Sequence, residues 1–142
     1  MEQDARRRLE DVLDREIAAA RSLAATLAAE RAALTGDTPG AIQEQAAEKV
    51  KILGVIERLE AERRSVWAVP ATGAAASVAE RWCTLMELMA ACRTENEVNG
   101  HIVRVRQHQV GQLIDIVRGG PAITYGPQGK TFAKAQRALA RA

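Results

Sequence analysis

The stretch Gly36-Asp37-Thr38-Pro39-Gly40 separates two long helical patterns, and it decides the fold. Gly36 is suited to a left-handed helix cap, Thr38 to the N-cap of a following helix, and Pro39 to its first turn. A connection this short places consecutive helices side by side in opposite directions. The sequence therefore predicts an antiparallel helical hairpin at the start of the chain.

Apolar residues on both sides of this turn recur with helical spacing. The first helix is expected at about residues 4–35, with a stripe that alternates steps of four and three: Leu13, Ile17, Ala20, Ala24, Leu27, Arg31 and Leu34. The second helix is expected at about residues 39–67, with its own stripe: Ile42, Ala46, Val50, Leu53, Ile56 and Leu59. Such spacing indicates amphipathic helices with a coiled-coil bias. Gly54 lies inside the second helix, where glycine costs about 1 kcal/mol relative to alanine, so a close backbone approach by a neighbour is expected there.

A third and longer helix is expected at about residues 77–118, after an uncharged linker at residues 68–76. Ser77 and Glu80 match a capping box at its start. Steps of three and four then continue to the end of the helix: Trp82, Leu85, Met89, Cys92, Asn96, Asn99, Val103, Arg106, Val110, Leu113 and Val117. Thr94 and Glu97 match a second capping box, so a helix break near Thr94 remains an alternative.

These patterns predict an all-α fold, in which an antiparallel helical hairpin and a long third helix form a three-helix bundle or coiled coil over residues 1–118. Residues 119–142 are expected to be a flexible tail, because this segment is rich in glycine. The tail is basic, since no acidic residue follows Asp115. Its residues 132–141 have a helical pattern, but a helix this short is marginal in water and should form only on a partner.

Composition narrows the function classes. The 142 residues suit one domain, and aromatic residues are only 3% of the chain, so the core must be aliphatic. A net charge of +2 argues against a nucleic-acid binder. The chain has neither an apolar N-terminal region nor an apolar run of about 18 residues, which predicts a cytoplasmic protein without signal peptide or membrane insertion. Cys83 and Cys92 are too far apart along a helix to pair, and are expected to be reduced, half-buried thiols.

The sequence predicts no catalytic, cofactor or metal site. The residues that could ligate a metal are too widely spaced for a zinc site: Cys83, Cys92, His101 and His108. The segment Gly126-x-x-Gly129-Lys130-Thr131 ends like a phosphate-binding loop, but the glycine expected five residues before Gly129 is Thr124.

Asn96 and Asn99 interrupt the apolar stripe of the third helix. A buried amide must find a matching hydrogen bond, so an amide on a packing seam fixes the register or the partner of the helix. The alternative is a solvated polar interruption, or a helix end at Asn99-Gly100.

The tail carries four bulky apolar residues: Ile123, Tyr125, Phe132 and Leu139. Such residues can anchor a segment that folds on a partner, while Lys130, Lys134 and Arg137 steer it toward acidic surface. The alternative is a disordered end without a function.

Four features together resemble the FlgN-type flagellar export chaperones. They are the Gly36-Asp37 turn, Lys49 ahead of Ile52-Leu53, the motif Asn96-x-x-Asn99-Gly100-x-Ile102, and the segment Tyr125-Gly126-Pro127-Gln128-Gly129-Lys130-Thr131. Their order and spacing cover nearly the whole chain. Asn96, Asn99, Gly100 and Gly129 are the residues that carry the last two motifs.

The resemblance implies a cytoplasmic chaperone that binds the C-terminal helical segments of flagellar hook-associated proteins, prevents their premature assembly and delivers them to the flagellar type III export gate and its ATPase complex. It assigns cargo binding to the end of the third helix and the segment after it: Val103, Val110, Leu113, Ile114, Val117, Ile123, Phe132 and Leu139. It assigns the contact with the export gate to Tyr125 and Gly126.

Two other functions are compatible with long helices. One is a structural coiled-coil or secretion-machine stalk protein. The other is an enzyme of the all-helical chorismate mutase type, for which Arg31, Lys49 and Arg63 lie near the stripes without forming a recognisable cluster. The sequence is also compatible with a homodimer.

Overall fold

A computed structural model describes residues 2–36, 38–67 and 74–119 of the chain. It contains three helices in this part: α1 (Glu2–Gly36), α2 (Pro39–Val66) and α3 (Ala76–Val117). Their ends lie within two residues of the predicted ones, and the predicted all-helical fold class is confirmed. The predicted short helix at residues 132–141 lies outside the described residues, as do residues 68–73 of the linker predicted at residues 68–76.

The chain divides into two compact units, Met1–Asn99 and Gly100–Ala142. The first unit contains α1, α2 and the part of α3 up to Asn99. The described part of the second unit is the rest of α3, followed by Arg118 and Gly119. The sequence predicted one helical domain over residues 1–118, and the division after Asn99 falls inside it.

Within the first unit, α1 is the central helix and packs against both α2 and α3. The ion pairs between α1 and α2 show that these helices are antiparallel. Glu16, which comes earlier in α1, pairs with Arg63 late in α2, and Glu30, which comes later, pairs with Lys49. Side-chain hydrogen bonds between α1 and α3 instead join residues 67 to 72 positions apart, so these two helices are parallel. The predicted antiparallel hairpin is therefore α1–α2, and α3 lies on another side of α1.

The core consists of two apolar clusters along α1. The larger cluster holds eight buried residues: Leu9, Val12, Leu13, Ile17, Ala20, Leu59, Val78 and Leu85. The smaller cluster holds four: Leu23, Leu27, Ile52 and Cys92. A fully buried aliphatic side chain of this size contributes about 1.5–3 kcal/mol, so α1, which supplies most of these residues, contributes most to the stability of the unit.

The buried face of α3 has a seven-residue repeat. Val78, Leu85, Cys92 and Asn99 are seven residues apart, and all four are buried. A seven-residue repeat keeps one seam of a helix against its neighbour, as in a coiled coil. The first three members fill the apolar clusters, whereas the fourth is an amide.

Two tryptophans pack at the end of the bundle that holds the C-terminus of α2. The rings of Trp67 and Trp82 meet edge to face, with their centroids 5.0 Å apart and their planes at 89°. The guanidinium of Arg63 lies 4.7 Å from the centroid of the Trp82 ring, in cation–π geometry. Half of the aromatic residues of the chain thus close one end of an otherwise aliphatic core.

Two predicted helix caps are wrong. Gly36 belongs to α1 and does not have the left-handed conformation, because only Gly119 among the described glycines has a positive φ. Ser77 lies inside the first turn of α3, which begins at Ala76, so its hydroxyl does not form a capping box and instead donates a hydrogen bond to Glu10 of α1. Thr38 does occupy the N-cap of α2, with Pro39 after it, but its side chain makes no cap hydrogen bond.

The helix break near Thr94, which the sequence left open, is absent. The residue lies inside α3, and its hydroxyl donates to the carbonyl oxygen of Ala90 at 3.2 Å. A hydrogen bond to the preceding turn is a common solution for a threonine in a helix interior.

The two cysteines differ in their surroundings. Cys83 is exposed, which contradicts the predicted half-buried state, whereas Cys92 is buried and donates to the carbonyl oxygen of Ala20 at 3.6 Å. Burial, and secondarily the charge of Glu95, raises the pKa of the Cys92 thiol. Cys92 therefore behaves as a small apolar residue of the seam.

The close approach expected at Gly54 is also absent, since no atom of another helix lies within 4 Å of where its Cβ would be. We predict that Gly54→Ala raises the free energy of unfolding by about 1 kcal/mol, because alanine loses less backbone entropy in a helix interior. Urea unfolding checks this value. Gly119→Ala is the matched control and should give no gain, because Gly119 has a φ of 70°.

Candidate functional site

A buried carboxylate of α1 joins the three helices near one end of the first unit. The Oε1 atom of Glu30 accepts from the Lys49 ammonium of α2 at 2.7 Å, and its Oε2 atom accepts from the Asn99 amide of α3 at 2.8 Å. Lys49 also donates to the Oδ1 atom of Asn96 at 3.2 Å. We call Glu30, Lys49, Asn96 and Asn99, together with Arg31, the Glu30 network.

Asn99 is the most buried member of this network, at 1% exposure. Its amide group donates to Glu30 and to the carbonyl oxygen of Leu27 at 2.9 Å, and its Oδ1 atom accepts from Arg31 at 3.1 Å. Both amide hydrogens and the amide oxygen therefore have partners. The expectation that an amide on the packing seam finds matching hydrogen bonds is met by Asn99, whereas Asn96 is exposed.

Glu30 needs this arrangement because it is only 6% exposed. Removing a carboxylate from water is unfavourable unless a counter-charge and hydrogen bonds replace the lost hydration. Lys49 supplies the charge, and Asn99 supplies the second hydrogen bond. Displacing α2 along α1 would remove the counter-charge of Glu30, and displacing α3 would remove its second hydrogen bond, so this residue fixes the register of both helices.

A second buried ion pair lies closer to the tryptophans. The Nε atom of Arg63 donates to the two carboxylate oxygens of Glu16 at 2.9 and 3.2 Å, and both side chains are largely buried. Burial raises the pKa of Glu16, and the charge and hydrogen bonds of Arg63 only partly offset that effect. The Arg63 guanidinium thus has a carboxylate on one side and the Trp82 ring on another.

These pairings bear on the enzyme alternative. Lys49 pairs with Glu30, Arg63 with Glu16, and Arg31 with Glu95 at 2.6 Å. A site for a dianionic substrate would need several cations with unsatisfied charge around one cavity. The three cations that suggested such a site each have a carboxylate instead.

The described part of the second unit has a different surface. Val110, Leu113, Ile114 and Val117 are exposed by 54%, 60%, 43% and 85%, and with Arg118 they line an open cavity of about 370 Å³. Val103 is half-buried and lies on the same side of α3 by its helical spacing. We call Val103, Val110, Leu113, Ile114 and Val117 the C-terminal stripe.

The remaining residues that the sequence singled out lie outside the described part of the chain: Ile123, Tyr125, Gly126, Gly129, Phe132 and Leu139. Gly100 is described, and the nearest side-chain atom to a Cβ at this position would be in Arg104, at an ordinary 3.5 Å. Close packing therefore gives no reason for a glycine at position 100.

Sequence reasoning missed the two buried glutamates. Glu16 and Glu30 continue the seven-residue series that begins at Leu9 and includes Leu23. That series was the available signal, because two carboxylates at apolar positions of a seam need cations on neighbouring helices. Lys49 and Arg63 were noted near the stripes, but their partners were not.

A comparison with protein-family models matches residues 1–132 to the family described as FlgN protein. The chain belongs to the FlgN family. FlgN proteins are flagellar chaperones without enzymatic activity, and they act in the cytoplasm. A comparison with curated proteins found no match, and neither did a comparison with solved structures.

FlgN membership confirms the family that the sequence suggested, and it implies a role in flagellar export and the binding of hook-associated proteins. The matched range includes the Glu30 network, the C-terminal stripe and the segment at residues 125–131. None of the helices in the described residues combines the length and the apolar character needed to cross a membrane.

The Glu30 network predicts unequal roles for its two asparagines. Asn99→Ala should lower the free energy of unfolding by about 1–3 kcal/mol, because Glu30, Arg31 and the Leu27 carbonyl each lose a partner in a buried site. Asn96→Ala is the matched control and should cost less than about 1 kcal/mol, since Asn96 is exposed. Urea unfolding of both variants measures the difference, and equal losses would contradict the assigned role of Asn99.

The raised pKa of Glu16 predicts that the native chain and Glu16→Gln differ in their free energy of unfolding by an amount that depends on pH. The folded state holds the Glu16 proton more tightly than the unfolded state, so lowering the pH through the folded pKa favours folding through this group. The native chain should therefore gain stability relative to Glu16→Gln as the pH falls from 7 toward about 4. Unfolding both proteins in urea at several pH values tests this, and a constant difference would contradict it.

Proposed function

We propose that this chain holds the C-terminal helical segments of flagellar hook-associated proteins against the C-terminal stripe, prevents their premature assembly and delivers them to the export gate. The observation that carries the proposal is the exposure of four large aliphatic residues within two turns of α3, in a chain of the FlgN family. Clustered exposed aliphatic residues are characteristic of binding surfaces.

The spacing of the C-terminal stripe suits a helical cargo. Val103, Val110 and Val117 are seven residues apart, and Leu113 and Ile114 lie between the last two. Neighbouring helices bury residues with this spacing against each other in a continuous seam. A cargo helix with its own aliphatic stripe would cover the surface.

The tail residues Ile123, Phe132 and Leu139 extend this cargo site in our proposal, on the ground of the family resemblance and their apolar character. Tyr125 and Gly126 are the proposed contact with the export gate. A tail that orders on cargo would lose conformational entropy on binding, which lowers the affinity and favours release.

Co-expression with hook-associated proteins of the same organism tests the proposal, with size exclusion as the readout. We expect the full chain to form a soluble complex, and the double variant Val110→Gln, Leu113→Gln to weaken it about 30- to 100-fold through the loss of two apolar contacts. The matched control is Val50→Gln, Val98→Gln, which replaces two exposed valines of the first unit and should leave the complex intact.

A chain ending at Gly119 divides the site further. Weaker binding by this shorter chain would place cargo contacts in the tail, whereas unchanged binding would confine them to α3 and leave the tail for the gate. A full chain that forms no complex with any hook-associated protein would refute the proposed function.

A further inference from the structure

The first unit has a second apolar surface, distinct from the C-terminal stripe. A groove of about 520 Å³ runs between α2 and α3 above α1. Leu23 and Leu27 of α1 form its floor, and its walls include Leu53 of α2 and Met86 and Met89 of α3. Leu53 and Met86 remain 44% and 40% exposed, so the core does not use these two side chains fully.

Three polar residues line one end of this groove: Lys49, Arg93 and Asn96. They share an end because α2 and α3 run in opposite directions, as the hydrogen bond from Lys49 to Asn96 shows. The Asn96 oxygen faces the ammonium, so its amide group is the part left for other contacts. The Lys49 ammonium has three hydrogens, and two of them are directed to Glu30 and Asn96.

This end of the groove consequently presents hydrogen-bond donors. The third hydrogen of Lys49, the amide group of Asn96 and the guanidinium of Arg93 can all donate, and Arg93 is exposed. No described residue forms an ion pair with Arg93. Lys49 is also held in place by Glu30, so it would lose little side-chain entropy when it binds a further acceptor.

The shape and lining of the groove favour a helix as its occupant. Neighbouring antiparallel helices leave a groove that accepts the side-chain ridge of another helix. Its aliphatic and methionine walls suit leucine-like anchors at helical spacing, because methionine adapts its shape to a partner. The donor end matches the C-terminus of a helix, whose last carbonyl groups have no partner within the helix and can accept from Arg93 and Lys49. The negative end of the helix dipole also favours cations at this position.

We propose that this groove binds one amphipathic helix of a partner protein, with its aliphatic stripe on Leu53 and Met86 and carboxylates of its last turn at Arg93 and Lys49. The surface belongs to the first unit and is separate from the cargo site proposed above. It would let the chain hold a second protein segment while the C-terminal stripe is occupied.

Two fluorescein-labelled peptides of about 18 residues test the proposal, a length at which an isolated helix can form in water. Both carry leucines at helical spacing, and they differ only in having three glutamates or three lysines in the last turn. Fluorescence polarisation with the full-length chain should show tighter binding of the glutamate peptide, in spite of the helix dipole, which favours lysines over glutamates in the last turn of the free peptide. Leu53→Gln, Met86→Gln should raise its Kd about tenfold or more.

All Kd values are measured on the full-length chain carrying Val110→Gln, Leu113→Gln, because a leucine-bearing helix would otherwise also cover the C-terminal stripe. In this background Val50→Gln, Val98→Gln is the matched control and should leave the Kd unchanged. Loss of peptide binding on introducing Val110→Gln, Leu113→Gln would assign the peptide to the cargo site and overturn the groove proposal, so the two sites fail separately. Arg93→Glu should weaken binding of the glutamate peptide and strengthen binding of the lysine peptide. Comparing both peptides with both proteins isolates the contribution of the charge contact.

Urea unfolding verifies that each variant is folded. If Leu53→Gln, Met86→Gln does not fold, Ala90→Phe serves instead, because it fills the groove with an apolar side chain and should also displace the peptide. The proposal is overturned if neither groove variant weakens peptide binding, or if Arg93→Glu changes the Kd of both peptides by the same factor. It is also overturned if the groove variants dissociate a dimer in sedimentation velocity, which would assign the groove to a second copy of the chain.

Discussion

The carboxylate of Glu30 is the constraint on which the arrangement of the three helices depends. It lies on α1, and its two oxygens accept from Lys49 of α2 and Asn99 of α3. Apolar seams built from alanine, valine and leucine tolerate displacement along a helix, because such side chains make similar contacts in neighbouring registers. A buried carboxylate does not tolerate it, since losing Lys49 leaves a charge without compensation and losing Asn99 leaves a buried oxygen without its hydrogen bond. Two hydrogen bonds therefore specify an alignment that the aliphatic core alone leaves degenerate.

The helices themselves could be predicted because their signal is local. Steps of three and four along α1 and α3, and the break at Gly36–Gly40, depend only on the order of residues. The caps were less predictable. The Ser77 hydroxyl can form a hydrogen bond within its own helix or with Glu10 of α1, and which one forms depends on the distance between the two helices. Gly54 was misread for a related reason, since a glycine in a helix does not reveal whether anything approaches it.

The buried polar residues were only half predictable. Asn99 was recognisable because an amide stood on an apolar stripe, yet its partners Glu30 and Arg31 are 69 and 68 residues away in sequence. Glu16 and Glu30 resembled solvated charges, because charged residues on a helix are usually exposed. Their burial follows from their place on the faces of α1 that pack against the neighbouring helices, where Glu16 meets Arg63 of α2 and Glu30 meets both Lys49 of α2 and Asn99 of α3. Tertiary packing, and not local pattern, thus determines which charges enter the seam.

The seven-residue series of α3 continues from the first unit into the second, and its exposure to solvent changes on the way. Val78, Leu85, Cys92 and Asn99 are buried, and the series continues in sequence through Arg106 to Leu113, which is exposed. The same spacing thus first builds a core and then supplies a surface. Asn99 is the last residue of the first unit, and its directional hydrogen bonds hold α3 in one register there. The C-terminal stripe has aliphatic residues instead, whose attraction depends on buried area and not on direction. In the cargo role proposed above, such a surface would accept helices of varied sequence, with an affinity set by how many aliphatic residues are covered, and this would suit a chaperone that must later release its cargo.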